Sequence, residues 1–136
     1  MKILLFVACL FMLSCNSAVD SKQHSSDAYE QAKETLEQKE KKNPINFIYV
    51  SGHDKKNLFG QTVIKGKVSN HATVAVYKDI DVQLSFYSKT KTLLEKDRET
   101  VYEVLAPGET KSFKTKYFAP KGTDSVAFEI VGAKTQ

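Results

Sequence analysis

The clearest periodic signal in the chain runs over residues 77–87, where Ile80, Val82, Leu84 and Phe86 alternate with Asp79, Asp81, Gln83 and Ser85. Strand side chains point to opposite faces in turn, so this spacing puts four apolar groups on one face and polar groups on the other. A strand of that kind needs a second layer over its apolar face. Neighbouring segments repeat the pattern. Residues 45–50 read as a first strand, with Ile45, Phe47 and Tyr49 opposed to Ile48 and Val50. Residues 61–69 give a second, with Ile64, Gly66 and Val68 inward and Val63, Lys65 and Lys67 outward. Residues 92–104 read as one bent strand or two short ones. Their consecutive charges Glu95, Lys96, Asp97, Arg98 and Glu99 suit a sheet edge, where charge discourages pairing with a second molecule. Residues 110–118 oppose Phe113, Thr115 and Tyr117 to Ser112, Lys114 and Lys116, and residues 125–131 close the domain on Val126, Phe128 and Ile130.

The connections are equally readable. Residues 51–60 carry the turn formers Gly52, Asp54, Asn57 and Gly60 and read as a long loop. Ala106-Pro107-Gly108-Glu109 has Pro and Gly in the order a type II turn wants. Six or seven strands in residues 44–136 predict an all-β fold, an immunoglobulin-like antiparallel β-sandwich, with a closed barrel as the alternative. The antibody marks are missing, since the chain has no tryptophan.

Ahead of the sandwich, residues 27–42 are rich in helix formers. Asp27 and Glu30 form a capping pair, lysines fill the last turn, and Asn43-Pro44 stops the helix. Its apolar stripe, Tyr29, Ala32 and Leu36, is thin, so the helix reads as a solvated stalk ahead of a partner-docking or coiled-coil helix. Residues 16–26, short and polar, form a tether. At the start of the chain, Lys2 precedes an apolar run over residues 3–13, followed by Ser14 and Cys15. A core in the range of about 7 to 15 residues marks a secretion signal, and falls short of the roughly 18 needed to span a bilayer.

Met12-Leu13-Ser14-Cys15 resembles the bacterial lipobox, although Leu13 stands where a small residue is usual. The resemblance implies cleavage before Cys15 and a diacylglyceryl group, such as one carrying palmitate, on its sulfur. The organisation expected is a signal peptide over 1–14, a lipidated tether and helical stalk over 15–43, and the sandwich over 44–136. Removing 14 of the 136 residues leaves 122 and takes away Lys2, so that 19 basic residues face 16 acidic ones. Both signs are interspersed, which argues against nucleic-acid binding. Cys9 leaves with the signal and Cys15 carries lipid, so packing alone must hold the domain.

Within the sandwich, Gly66-Lys67-Val68-Ser69-Asn70, Tyr77-Lys78-Asp79-Ile80, Phe86-Tyr87, Leu105-Ala106-Pro107-Gly108-Glu109 and Phe113 resemble, in order and spacing, the FxLYD-like domains of bacterial envelope lipoproteins. Ser88 departs from that pattern, in which an acid is usual after the tyrosine, and Leu84 precedes Phe86. The family carries no catalytic residues to transfer. The resemblance implies fold and location and leaves activity open.

Chemistry-bearing groups are sparse. His24, His53 and His71 lie in separate segments, and zinc needs three or four converging ligands. Ser51, His53 and Asp54 make a triad on paper but lack the strained nucleophile turn of hydrolases. No carboxylate pair sits in an apolar setting, and the glycines are scattered rather than massed in a phosphate loop. Neither an enzyme nor a metal nor a cofactor is expected. Lys65, Lys67, Lys114 and Lys116 share an outer face if their strands adjoin. That face reads as solvated, and alternatively as a patch for anionic glycans or lipid headgroups.

The expected function is that of a lipid-anchored protein of the bacterial cell membrane or outer membrane, facing outside the cytoplasm, whose sandwich is a non-catalytic binding or scaffolding module. Its partners would be the membrane, through the lipid, and another envelope protein or glycan. Recognition is placed on the loop through Ser51, His53, Asp54, Lys55, Lys56 and Asn57, or on an exposed sheet edge, since loops on a rigid sandwich carry recognition. The alternative is a small-molecule or glycan-binding protein with a pocket at one end of the sandwich.

Overall fold

The computed structural model describes residues 23–136. Helix α1 (Gln23–Lys42) and a 3-10 turn (Pro44–Asn46) precede six strands: β1 (Ile48–Lys56), β2 (Thr62–Asn70), β3 (Tyr77–Tyr87), β4 (Leu93–Leu105), β5 (Thr110–Tyr117) and β6 (Ser125–Thr135). They form two three-stranded sheets, β1-β2-β5 and β4-β3-β6, with every pairing antiparallel. The domain is an all-β sandwich.

Alternation builds its core. Ile80, Val82, Leu84 and Phe86 of β3 are buried, and they form one cluster with Ile64 and Val68 of β2, Ile48, Val101 and Leu105. Each such side chain contributes on the order of 1.5–3 kcal/mol by leaving water. A bulge at Asp79, whose φ is +47°, shifts the register between Lys78 and Ile80. The broken register there lets Tyr77 turn inward on the same face as Ile80, where strict alternation would send it outward. At one sheet edge Tyr117 donates its hydroxyl to Glu99 Oε2 at 2.7 Å, joining β5 to β4. Burial and the Glu99 carboxylate push that phenol well above its ordinary pKa.

Glycines admit aromatic rings into the core. On the inner face of the β1-β2-β5 sheet, Gly52, Gly66 and Phe113 stand in one row. A Cβ on Gly66 would collide with two atoms of the Phe113 ring, and one on Gly52 would lie 3.0 Å from the tip of Phe128. The missing side chains leave the volume these rings occupy.

Several expected boundaries move. Residues 44–46 coil into the 3-10 turn, so the first strand starts at Ile48 and not at Ile45, and it runs on through Lys56 where a loop was expected. Residues 92–104 prove to be one strand, β4, at a sheet edge. The type II turn is present: Gly108 has φ +76°, and the Glu109 N–H donates to the Ala106 carbonyl at 3.0 Å. Helix α1 already occupies Gln23, which puts Asp27 inside it and removes Asp27 from the capping role.

The helix is fastened at its far end. Residues 27–39 are exposed apart from half-buried Glu37, whereas Glu40 is 1% exposed. Its carboxylate accepts the backbone N–H groups of Thr73 at 2.7 Å and of Val74 and Ala75 at 2.9 Å. Tyr77 donates its hydroxyl to the Glu40 carbonyl at 2.9 Å, satisfying one of the carbonyls left open at a helix C-terminus. Asn70, fully buried, shapes the receiving loop. Its amide donates to the carbonyls of Ala75 and Leu105, and its side-chain oxygen accepts from the Ala72 N–H. The stalk therefore ends in a fixed contact with the sandwich.

Burial alone would raise the Glu40 pKa, but the three backbone donors outweigh it and hold the carboxyl below its ordinary value. The same buried charge, after burial itself, pushes the Tyr77 phenol up to about 12. A depressed carboxylate stabilises the fold fully above its ordinary pKa near 4.5, and that contribution fades as pH falls through the lower folded value. Glu40→Gln replaces one acceptor oxygen by a donor, and should lower stability at pH 7 by roughly 3 kcal/mol, the scale of one or two charge-assisted hydrogen bonds. Denaturant titrations of both proteins across pH should show the gap closing at acid pH. Hydrogen exchange at residues 73–75 should accelerate in the variant. Gly66→Ala forces the Phe113 ring to move and should cost about 1–3 kcal/mol, read from the same titrations.

Candidate functional site

The alternation that fills the core also decides what the back of the β1-β2-β5 sheet presents. Its outer positions run in cross-strand rows: Tyr49, Ser69 and Thr110; Ser51, Lys67 and Ser112; His53, Lys65 and Lys114; Lys55, Val63 and Lys116. These rows hold five lysines, one histidine and no acid. All five lysines are exposed, and no carboxylate among the described residues forms an ion pair with any of them. The opposite sheet differs. On its outer face Asp81 accepts from Thr100 at 2.6 Å and lies 3.9 Å from Arg98, while Gln83 donates to Glu129 at 3.2 Å. One face mixes its signs and the other carries a single sign.

The basic face is hollowed. An open trough of about 640 Å³ is lined by Ser51, His53, Lys65, Lys67, Ser112 and Lys114 with the backbone between them. A second, of about 450 Å³, shares His53, Lys65 and Lys114 and extends past Lys55 and Val63 to Asn57 and Leu58. Lys65 and Lys114 stand directly opposite one another. Like charges in that relation destabilise a sheet. A sequence that keeps a local cost without an evident structural return is a functional candidate.

The structure splits the six residues expected to form a recognition loop. Ser51, His53 and Lys55 line the outer face of β1, whereas half-buried Asp54 points to the other face, so the paper triad does not assemble. Lys56 donates to the Thr123 carbonyl at 3.5 Å. Asn57 builds the hairpin turn: its side-chain oxygen accepts the N–H groups of Phe59 and Gln61 at 2.9 Å, and Gly60 takes φ +75°. That turn holds Leu58 and Phe59 out in solvent. Sequence reasoning grouped Lys65, Lys67, Lys114 and Lys116 correctly but left out His53 and Lys55. The signal was the outward series Tyr49, Ser51, His53, Lys55, masked by turn-forming Gly52 and Asp54 between its members. His71 lies apart from His53, its ring 4.5 Å from that of Tyr49. Among the described residues, no three His, Cys, Asp or Glu side chains converge as a metal site would require. Cys15, the lipidation candidate, and His24 fall outside the residues whose side chains are described, and no described helix is long and apolar enough to cross a membrane.

Neither a protein-family model nor a curated protein matches the chain, so the likeness to FxLYD-like domains has no family match beside it. Its landmarks serve packing and turns here, Gly66 receiving Phe113 and Gly108 taking the left-handed turn position. Among solved structures, the chain is similar to the Salmonella enterica trimeric lipoprotein SadB, at 12% identity and a TM-score of 0.46, over 85% of this chain and 79% of that one.

Relieving the like-charge row tests its cost. Lys114→Glu places an acid opposite Lys65 and should stabilise the domain by about 0.2–1 kcal/mol in low salt. Thermal unfolding should show the gain shrinking as salt is added.

Proposed function

We propose that the chain is a lipid-anchored cell-envelope protein that displays a non-catalytic β-sandwich outside the cytoplasm as a binding or scaffolding module. The observation that carries this reading is the order of its parts: an apolar leader ending in Ser14-Cys15, a short polar tether, and a helix whose last turn is fixed to the sandwich through Glu40. An acyl anchor at one end of such a chain is transmitted to a defined end of the domain, because the loop that grips Glu40 also joins β2 to β3. Acyl chains contribute about 0.8 kcal/mol per buried methylene, so the two chains of a diacylglyceryl group hold durably where one is marginal. The unpaired basic face of the β1-β2-β5 sheet is the surface best suited to meet a partner.

Replacing Cys15 by serine tests the anchor. The natural protein should pellet with membranes and incorporate labelled palmitate, and Cys15→Ser should abolish the label and move the protein to the soluble fraction. A natural protein that carries no fatty acid, with a variant that pellets just as well, would show the anchor to be wrong.

A further inference from the structure

We infer that the trough on the β1-β2-β5 sheet binds a chain of a carboxylated polysaccharide, whose carboxylates are received by Lys65 and Lys114 with Lys55, Lys67 and Lys116 on either side. The inference rests on the sandwich being a binding module and not on the lipid anchor. Three features of the face select this ligand class.

The first is charge. A face with five lysines and no acid attracts an anion, and the directly opposed Lys65 and Lys114 create their strongest field where their own repulsion is greatest. An anion seated between them removes that repulsion, so binding and relief of the row coincide. Successive outward residues on one strand are about 6.7 Å apart and adjacent strands about 4.8 Å, which gives a lattice of positive charge that a polymer with repeated anionic groups can follow.

The second is shape. The two open hollows share His53, Lys65 and Lys114 and so adjoin across neighbouring rows of the sheet. Their combined length, over neighbouring rows of the sheet, suits an extended chain with repeated charges.

The third is the remaining lining. Ser51 and Ser112 offer hydroxyl groups, and Val63 and Leu58 offer apolar surface between the lysines. Sugar rings present hydroxyls at their edges and C–H groups on their faces, and use both. Single-stranded nucleic acid instead needs aromatic platforms for its bases. The three lysine-bearing rows contain no Phe, Tyr or Trp, and Tyr49, in the row beyond them, packs against His71.

The test uses the purified full chain carrying Cys15→Ser, so that acylation plays no part in the readout. Binding is measured to immobilised alginate, inorganic polyphosphate and neutral dextran, and to sedimentable vesicles of phosphatidylglycerol. The expected result is retention on alginate that weakens with salt, with no retention on dextran. Lys65→Glu with Lys114→Glu should weaken alginate binding at least tenfold. Lys89→Glu with Lys91→Glu, the same charge change in the β3–β4 turn, should leave it within twofold. Circular dichroism checks that both variants are folded. Equal losses in the two variants would reduce the effect to net charge and overturn the site. Binding to vesicles or polyphosphate without binding to alginate, or to no probe at all, would overturn the ligand class.

Discussion

Every layer of this molecule depends on one constraint, the two-residue period of an extended strand. In β3 it drives Ile80, Val82, Leu84 and Phe86 into a shared core with Ile64 and Val68. In β2 the same period, having committed Ile64, Gly66 and Val68 to the inside, leaves Val63, Lys65 and Lys67 outside. Core and basic face are thus two readings of one alternation. A one-residue slip of β2 would bury lysines and expose isoleucine, so the register that stabilises the fold also keeps the lysines aligned.

Interior polar groups do a different job. Asn70 and Glu40 are buried, and each has its hydrogen-bonding capacity met by backbone groups. Buried polar groups satisfied in this way fix geometry, because any other arrangement leaves donors or acceptors without partners. Asn70 sets the path of the loop between β2 and β3, the loop supplies three N–H groups, and these select one carboxylate on the helix. The result is a directional joint between the helix and the domain. A purely apolar contact of equal strength would tolerate sliding, whereas three converging donors do not.

The two outer faces of the sandwich show how composition misleads when it is averaged over a chain. Acids and bases are nearly balanced overall, and the sheet containing β3 reflects that balance in its paired charges. The sheet containing β2 concentrates one sign. Repulsion in its central row reduces stability slightly, and a bound polyanion would turn that repulsion into affinity, the usual trade between stability and activity.

Local rules in the chain were enough for the sandwich, the inward and outward sets of β2 and β5, the inward Ile80, Val82, Leu84 and Phe86 of β3, the Pro107-Gly108 turn and the helix stop before Pro44. Those rules are alternation, fixed backbone angles of proline and glycine, and helix propensity. The sequence by itself located the lysines of β2 and β5 on outer faces but could not show that the two strands adjoin, since β5 reaches β2 only after the chain has passed through the other sheet. Tertiary structure decided that residues 51–56 form a strand, because pairing with β2 overrides the turn preference of Gly52 and Asp54. It also decided the fate of Glu40, one acid among many in a charged helix. Only the loop 33 residues and more further on, folded back by Asn70, supplies the donors that make this carboxylate part of the domain.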